Sequence, residues 1–400
     1  MKSGDEPQDD DRNAIPTRIS RRMAVAMTAA FVAVIVAVPA AQLAMELARG
    51  ERPGVARLQP AGMVPSGAEL AAFADTLRDD SLAAGAVRPG LRSLLVEVGG
   101  RGSASAIVGA DGWLYFAPGV RATLGRGFLH GSPHARPARA GDDAPGQAHT
   151  VREADPRPAI RAFAARVRAA GGTLVLLPVP DKSAFYPRGS RPRAARNASF
   201  SSFVDEMRRD GIEVLDVGNL PPPAGEPRYL ADDTHWTPQW AAAVARELAD
   251  LARQHGVFVE RSPLTTADVE ISAAGDLAEL LGLPAARTHA VKVRRVTRLD
   301  GQRIAPDHTS PVLLLGDSFT NIYSAAELGW GDGAGLAEQL SLELGGPIDW
   351  VARNDAGAHA TRDLLARERA SGTDRLIGKR LVIWEFADRE LCTGNWRAVD

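Results

Sequence analysis

Four hundred residues, 45% of them hydrophobic, suffice for one large core or two average ones, and length alone does not choose between them. Lys and Arg number 47 against 49 Asp and Glu, a net charge of −2, so there is no general attraction to nucleic acid, and no motif for it is present. The single cysteine, Cys392, excludes an internal disulfide and any cysteine-built metal site.

Residues 1–22 are polar and read as a cytoplasmic tail ending in Arg18, Arg21 and Arg22. Residues 23–45 carry no charge and are long enough to span a bilayer. The preceding arginines keep the N-terminus in the cytoplasm and send the rest of the chain across. Small residues around Pro39, Ala40 and Ala41 leave a cleaved signal peptide as the alternative, but the length of the run favours an uncleaved anchor. Either way the remainder is exported, to the periplasmic or extracytoplasmic side of the cytoplasmic membrane. Residues 46–90 form a juxtamembrane stalk interrupted by Pro53, Gly54, Pro60, Pro65 and Gly67, with one short helix over 68–77.

Residues 91–400 read as the main folded domain. Asp111-Gly112 is a turn signal ahead of Trp113, Leu114, Tyr115 and Phe116, which read as core. Residues 125–158 are a Gly-, Pro-, Arg- and His-rich loop, where Pro133 between His130 and His134 argues against a helical metal pair. An alternation of helices and strands follows. Ile160, Phe163 and Val167 line a helix before the buried strand 173–177, and Phe200, Phe203, Val204 and Met207 line another before a strand at 212–217. This rhythm predicts an α/β fold with a parallel sheet flanked by helices. Thr237-Pro238 has N-cap and N1 chemistry for a helix packed through Trp240, Val244, Leu248 and Leu251. Residues 291–299 suit an extra strand or hairpin outside the main sheet, Leu336, Leu340 and Leu344 a helix, and residues 381–384 a late buried strand.

Chemistry concentrates at two blocks. Residues 312–315 are an apolar run suited to a buried parallel strand, and Gly316-Asp317-Ser318 follows at its end. A serine there attacks an ester only if a base reaches it. Asp233-Thr234-His235-Trp236 supplies one: on an extended segment Asp233 and His235 face the same way, so the carboxylate orients the imidazole.

These blocks resemble those of the SGNH-hydrolase-like O-acetyltransferases of the AlgJ/AlgX type, which acetylate alginate and other exported polysaccharides. Further matching motifs are Asp111-Gly-Trp-Leu-Tyr-Phe116, Pro178-Val-Pro-Asp-Lys182, Gly275-Asp-Leu277, Asn354-Asp-Ala-Gly357, Val382-Ile-Trp-Glu-Phe386 and Arg389-Glu-Leu391. The order, with the Asp/His block before the serine, is that of the acetyltransferases; ordinary SGNH esterases have it reversed.

The resemblance implies an SGNH-hydrolase-like sheet and an acetyl transfer through Ser318, with His235 as base and Asp233 orienting it. It implies oxyanion donors at the Ser318 N–H and Asn354, with Tyr323, Trp384 and Arg389 as substrate contacts. A polysaccharide acceptor is implied too, with a membrane-bound O-acyltransferase partner that supplies acetyl groups. Arg188, Arg191, Arg193 and Arg196 form a basic stretch that would suit an anionic polysaccharide or simply face solvent. Lys182 has no role at this level. No metal and no cofactor are expected. An exported carbohydrate acetylesterase using the same three residues, or a catalytically idle glycan-binding subunit, are the alternatives. A triad alone does not separate transferase from esterase.

Overall fold

The computed structural model describes residues 20–51, isolated positions between 66 and 100, and residues 102–129, 155–186, 194–223, 225–283, 288–354 and 357–399. The proline-rich part of the stalk, His130, His134, Arg188, Arg191 and Arg193 lie outside the described residues. By internal contacts the chain divides into Met1–Leu91 and Arg92–Asp400.

In the first unit, α1 (Arg21–Ala48) is a single 28-residue helix, long and apolar enough to cross a membrane. Ser20 caps it by accepting from the Met23 N–H at 3.3 Å. Leu70, Phe73 and Ala74 of the expected stalk helix are helical, and so is Gly67, expected to interrupt the stalk.

The second unit opens with an antiparallel pair, β1 (Ala106–Val108) and β2 (Leu114–Phe116). Asp111 and Gly112 take φ of 54° and 79° in the turn between them, the left-handed region that Asp and Gly tolerate best. After α2 (Ala117–Leu124) and α3 (Arg157–Ala169), the main sheet is built from five parallel strands. These are β3 (Thr173–Val179), β4 (Glu213–Val214), β7 (Val312–Gly316), β8 (Asp349–Ala352) and β9 (Leu381–Ala387), in the order β4-β3-β9-β7-β8. The edge strand β4 is shorter than its sequence suggests. The Leu215 N–H still reaches Leu176 O at 2.9 Å, and Asp216 then caps a short 3-10 turn, so the ladder stops.

Alternation along the strands sorts the core into two layers. Val175, Leu177, Val312, Leu314, Leu381 and Ile383 pack against Trp240, Val244 and Leu248 of α5 (Pro238–Gln254) and Leu336 and Leu340 of α8 (Leu336–Leu344). The intervening residues Leu174, Leu176, Leu313, Leu315, Val382, Trp384 and Phe386 pack against α3, α4 (Phe200–Arg209) and α9 (Gly357–Ala370). Outside the sheet, β5 (Leu264–Ala273) and β6 (His289–Arg298) make a separate antiparallel ribbon, with α6 (Asp276–Leu280) between them in the chain. Only β6 is legible in the sequence. Its partner β5 buries no residue fully, so the apolar signal is weak.

Candidate active site

The carboxyl ends of β3, β7 and β9 are neighbours in the middle of the sheet, where α/β folds place their crevices. Ser318 opens α7 (Ser318–Asn321), directly after β7. The turn is tight because small residues let it be. A Cβ on Gly316 would meet Thr320 Oγ1 at 2.1 Å, and one on Gly357, at the start of α9, would meet Asp317 Cβ at 2.2 Å. The Asp317 carboxylate caps α7 by accepting from the Phe319 N–H at 2.8 Å, and its other oxygen accepts from the Ala387 N–H at 2.9 Å. Beneath it the buried Glu385 of β9 accepts from the Asp317 N–H at 2.9 Å and from the Thr320 hydroxyl at 2.8 Å. Burial and the neighbouring Asp317 charge push the Glu385 carboxyl well above its usual range. Asp317 is thus a structural acceptor, and Glu385 is a partner that sequence reading leaves without a role.

His235 approaches from the loop before α5. Its Nε2 lies 2.8 Å from Ser318 Oγ, and its Nδ1 lies 2.7 Å from Asp233 Oδ1. The segment is a series of bends and not the extended run expected from alternation. Asp233 Oδ1 also accepts from the His235 N–H at 2.8 Å, so a local side-chain turn brings the two side chains together. The second oxygen, Oδ2, accepts from the Trp330 indole at 2.9 Å and from the Asp276 N–H at 3.1 Å. Asp276 in turn accepts from the Thr234 N–H at 2.7 Å. Every lone-pair direction on Asp233 that the site uses is therefore occupied.

Electrostatics follow from this pairing. Burial by itself would raise the Asp233 carboxyl, but the His235 charge and the hydrogen bonds from His235 and Trp330 hold it well below the usual carboxylate range. For His235, burial opposes the imidazolium, and the Asp233 charge and hydrogen bond overcome it, leaving the ring above its ordinary 6.5. The side-chain ligand atoms of Asp233, His235 and Asp276 fall within 4.8 Å of one another, spacing that would admit a cation. Each residue already spends oxygens or nitrogens on Ser318, Trp330 and backbone N–H groups, so the group reads as a hydrogen-bonded relay.

The outer residues named from sequence fall differently. Tyr323 is completely buried and donates its hydroxyl to Trp236 O at 2.7 Å, bracing the backbone just past His235. Trp384 is also completely buried, in the opposite core layer against Phe163, Phe386 and Trp396. Neither offers an aromatic face to a sugar, and both expectations are corrected: strand alternation sends Trp384 away from the crevice. Arg389 does border the site, 5.9 Å from the Phe319 ring and 3.9 Å from Asp181 Oδ2, with 15% of its side chain exposed. Asn354 is exposed just past β8 and accepts from Asn321 Nδ2 at 2.9 Å. Asn321, one helical turn after Ser318, is a neighbour the sequence does not single out. Arg196 is taken up by Asp388 at 2.7 Å and by Asp216, a structural pairing.

A serine lifted off the central parallel sheet, met by an imidazole and carboxylate from an earlier loop, defines an SGNH-hydrolase-like α/β protein. Residues 106–388 match the family described as "SGNH hydrolase-like domain, acetyltransferase AlgX", and the chain belongs to that family. A curated relative, the "Probable alginate O-acetylase AlgJ" of Azotobacter vinelandii, is 27% identical over 236 residues, 54% of this chain. The matched region spans only 58% of that relative's length. Among solved structures, the O-acetyltransferase domain of Pseudomonas putida AlgJ aligns with a TM-score of 0.49 at 20% identity, covering 73% of this chain and 94% of that one. Pseudomonas aeruginosa AlgX aligns with a TM-score of 0.47 at 17% identity, covering 70% and 61%.

Proposed function

We propose that this protein is a membrane-anchored O-acetyltransferase that moves acetyl groups onto hydroxyls of an exported, alginate-like polysaccharide through an acetyl-Ser318 intermediate. The observation that carries the reading is the continuous hydrogen-bonded chain from Ser318 Oγ through His235 to Asp233. His235 takes the Ser318 proton as Oγ attacks the donor's acetyl carbonyl, and the departing alcohol or thiol leaves with that proton. A sugar hydroxyl then attacks the acetyl-serine, His235 again accepting the proton and returning it to Ser318 Oγ. Asp233 stays ionised throughout, fixing the tautomer and stabilising the imidazolium. The Ser318 N–H and Asn354 are the candidate donors to the oxyanion, and Arg389, beside Phe319, is the candidate cation for an anionic sugar. Helix α1 anchors the chain in the cytoplasmic membrane with the catalytic unit on the extracytoplasmic side, where a membrane-bound O-acyltransferase would deliver acetyl groups.

The test is product analysis. Detergent-solubilised full-length protein is incubated with an activated acetyl ester and alginate oligosaccharides. Acetylated oligosaccharide is the expected product. Release of free acetate alone, at a rate indifferent to the oligosaccharide, would make the protein an esterase.

A further inference from the structure

We propose that Lys182 is the positioning residue of this site: its ammonium group, clamped between three backbone carbonyls, fixes the segment that presents Asp233 and His235. The proposal rests on the Ser318–His235–Asp233 reading. Lys182 begins a short 3-10 turn past β3, capped by Asp181, whose carboxylate accepts from the Ser183 N–H at 3.0 Å. Its Nζ donates to Leu230 O at 3.0 Å, Ala231 O at 3.1 Å and Asp233 O at 2.7 Å. The side chain is 1% exposed, and no carboxylate among the described residues forms an ion pair with it.

An ammonium has three N–H donors and no acceptor, so three carbonyls saturate it. A neutral amine has two N–H groups and a lone pair, which would leave one buried carbonyl facing that lone pair. Asp276, Trp330 and the Asp233 side-chain turn hold the Asp233–His235 end of the clamped segment, whereas Leu230 O and Ala231 O, at its other end, are gathered with Asp233 O at Lys182 Nζ. The segment belongs to no strand, its ends meet through Leu230 N–H to His235 O at 3.1 Å, and Ala231 O also accepts from the Leu114 N–H at 2.9 Å. Burying an ammonium carries a desolvation cost that an apolar side chain of the same length would avoid. A charge kept there despite that cost is explained by the loop geometry it enforces.

Three motifs that look independent in the sequence meet at this nitrogen: Lys182 itself, the 230–235 loop, and the β1–β2 turn, whose Trp113 and Tyr115 rings lie 5.7 and 5.4 Å away. The charged groups facing Lys182 are Asp181 on its own turn, Asp232 and Asp233 on the loop, and Asp276 at the start of α6; β2 contributes only rings. Burial opposes the ammonium and these carboxylates restore part of its stability, bringing the group down from 10.5 to about 8. Losing that proton frees one carbonyl and loosens the base, so acetyl transfer declines on the alkaline side through Lys182.

The experiment compares pH profiles of kcat and KM for full-length wild type and Lys182→Met, in detergent, with a chromogenic acetyl ester. Wild type is expected to lose kcat near the Lys182 titration. Lys182→Met is expected to be slower by about 100-fold with little change in KM, because misplacing a base is a loss of geometry and not of binding. Its alkaline decline should be absent. Labelling with [ε-13C]lysine gives a reading independent of Lys182→Met, since the chain has only Lys2, Lys182, Lys292 and Lys379, and Lys379→Arg removes the other buried one. One buried lysine resonance should titrate together with the loss of rate. Wild-type kcat and an unchanged decline in Lys182→Met, or a Lys182 resonance that keeps its proton through the decline, overturns the proposal. Undiminished turnover in Ser318→Ala would instead sink the triad reading itself.

Discussion

Ser318 stands at the end of a strand whose five residues are all buried, while His235 stands on a loop that belongs to no strand. The serine turn is held by near neighbours in the sheet: Glu385 on the adjoining β9, the Ala387 N–H, and its own cap at Asp317. The base loop is held by groups arriving from far along the chain: Lys182 from the turn past β3, Trp330 from the stretch before α8, and the α6 N-terminus at Asp276. A nucleophile needs a fixed position relative to its oxyanion donors, and a sheet strand supplies it cheaply. A base must reach across to that nucleophile, so its loop has to be tied down residue by residue. The serine half should therefore resist substitution of distant residues, whereas the base half should not.

Removing either end of the relay should have the largest effect. Ser318→Ala and His235→Ala are each expected to abolish acetyl transfer with the melting temperature nearly unchanged, and the double variant should be little worse than either, since such units act together. Steady-state rates and thermal melts check this; a fully additive double loss would mean the two residues act separately. Asp233→Asn should cost on the order of a hundredfold or more by allowing the wrong imidazole tautomer. It should also shift the acid side of the rate profile. His235 works as a base only when neutral, so wild-type rate rises with pH through a value above 6.5. Without the Asp233 charge and hydrogen bond the burial effect, which disfavours the imidazolium, is opposed by less negative charge, that of Asp276 and Asp317, and the rise should move to lower pH.

Trp330→Phe isolates a distant tether, because it removes one donor to the Asp233 carboxylate and little volume. A hydrogen bond to a charged group is worth about 1.5–3 kcal/mol, so a loss of rate of roughly tenfold or more is expected. An unchanged rate would mean that the Asp276 N–H holds the carboxylate alone. Gly357→Ala tests the serine half instead. Its new methyl would press on Asp317, and about 1–3 kcal/mol of stability should be lost by denaturant titration. Asp232→Asn should have the smallest effect. That carboxylate turns away from the relay toward His289 Nδ1, 3.2 Å distant, so the rate should fall by less than about tenfold, ~1.4 kcal/mol of barrier. A larger loss than in Asp233→Asn would reverse their roles.

This contrast also explains what could be read from sequence. The strands and helices, the two blocks and their order were legible because apolar periodicity and short motifs are local. The pairing of Asp233 with His235 was legible as a spacing, though a side-chain turn produces it and not an extended strand. Trp330, Glu385 and Lys182 were not legible as site partners, because each acts across 51 to 97 residues and no local pattern points to its target. Tyr323 and Trp384 were misjudged because membership of a motif says nothing about which face a side chain takes. For Trp384 the face was in fact written in the chain, since it alternates with Val382 and Phe386 and shares their core layer.

The central claim is an acetyl-serine at Ser318, and it is tested most directly by mass spectrometry of protein mixed briefly with an activated acetyl ester and quenched in acid. The peptide containing Ser318 should gain about 42 Da, one acetyl group, and should lose it when an acceptor oligosaccharide is added before quenching. The same label found in Ser318→Ala, or found only on another peptide of the wild type, would contradict the account.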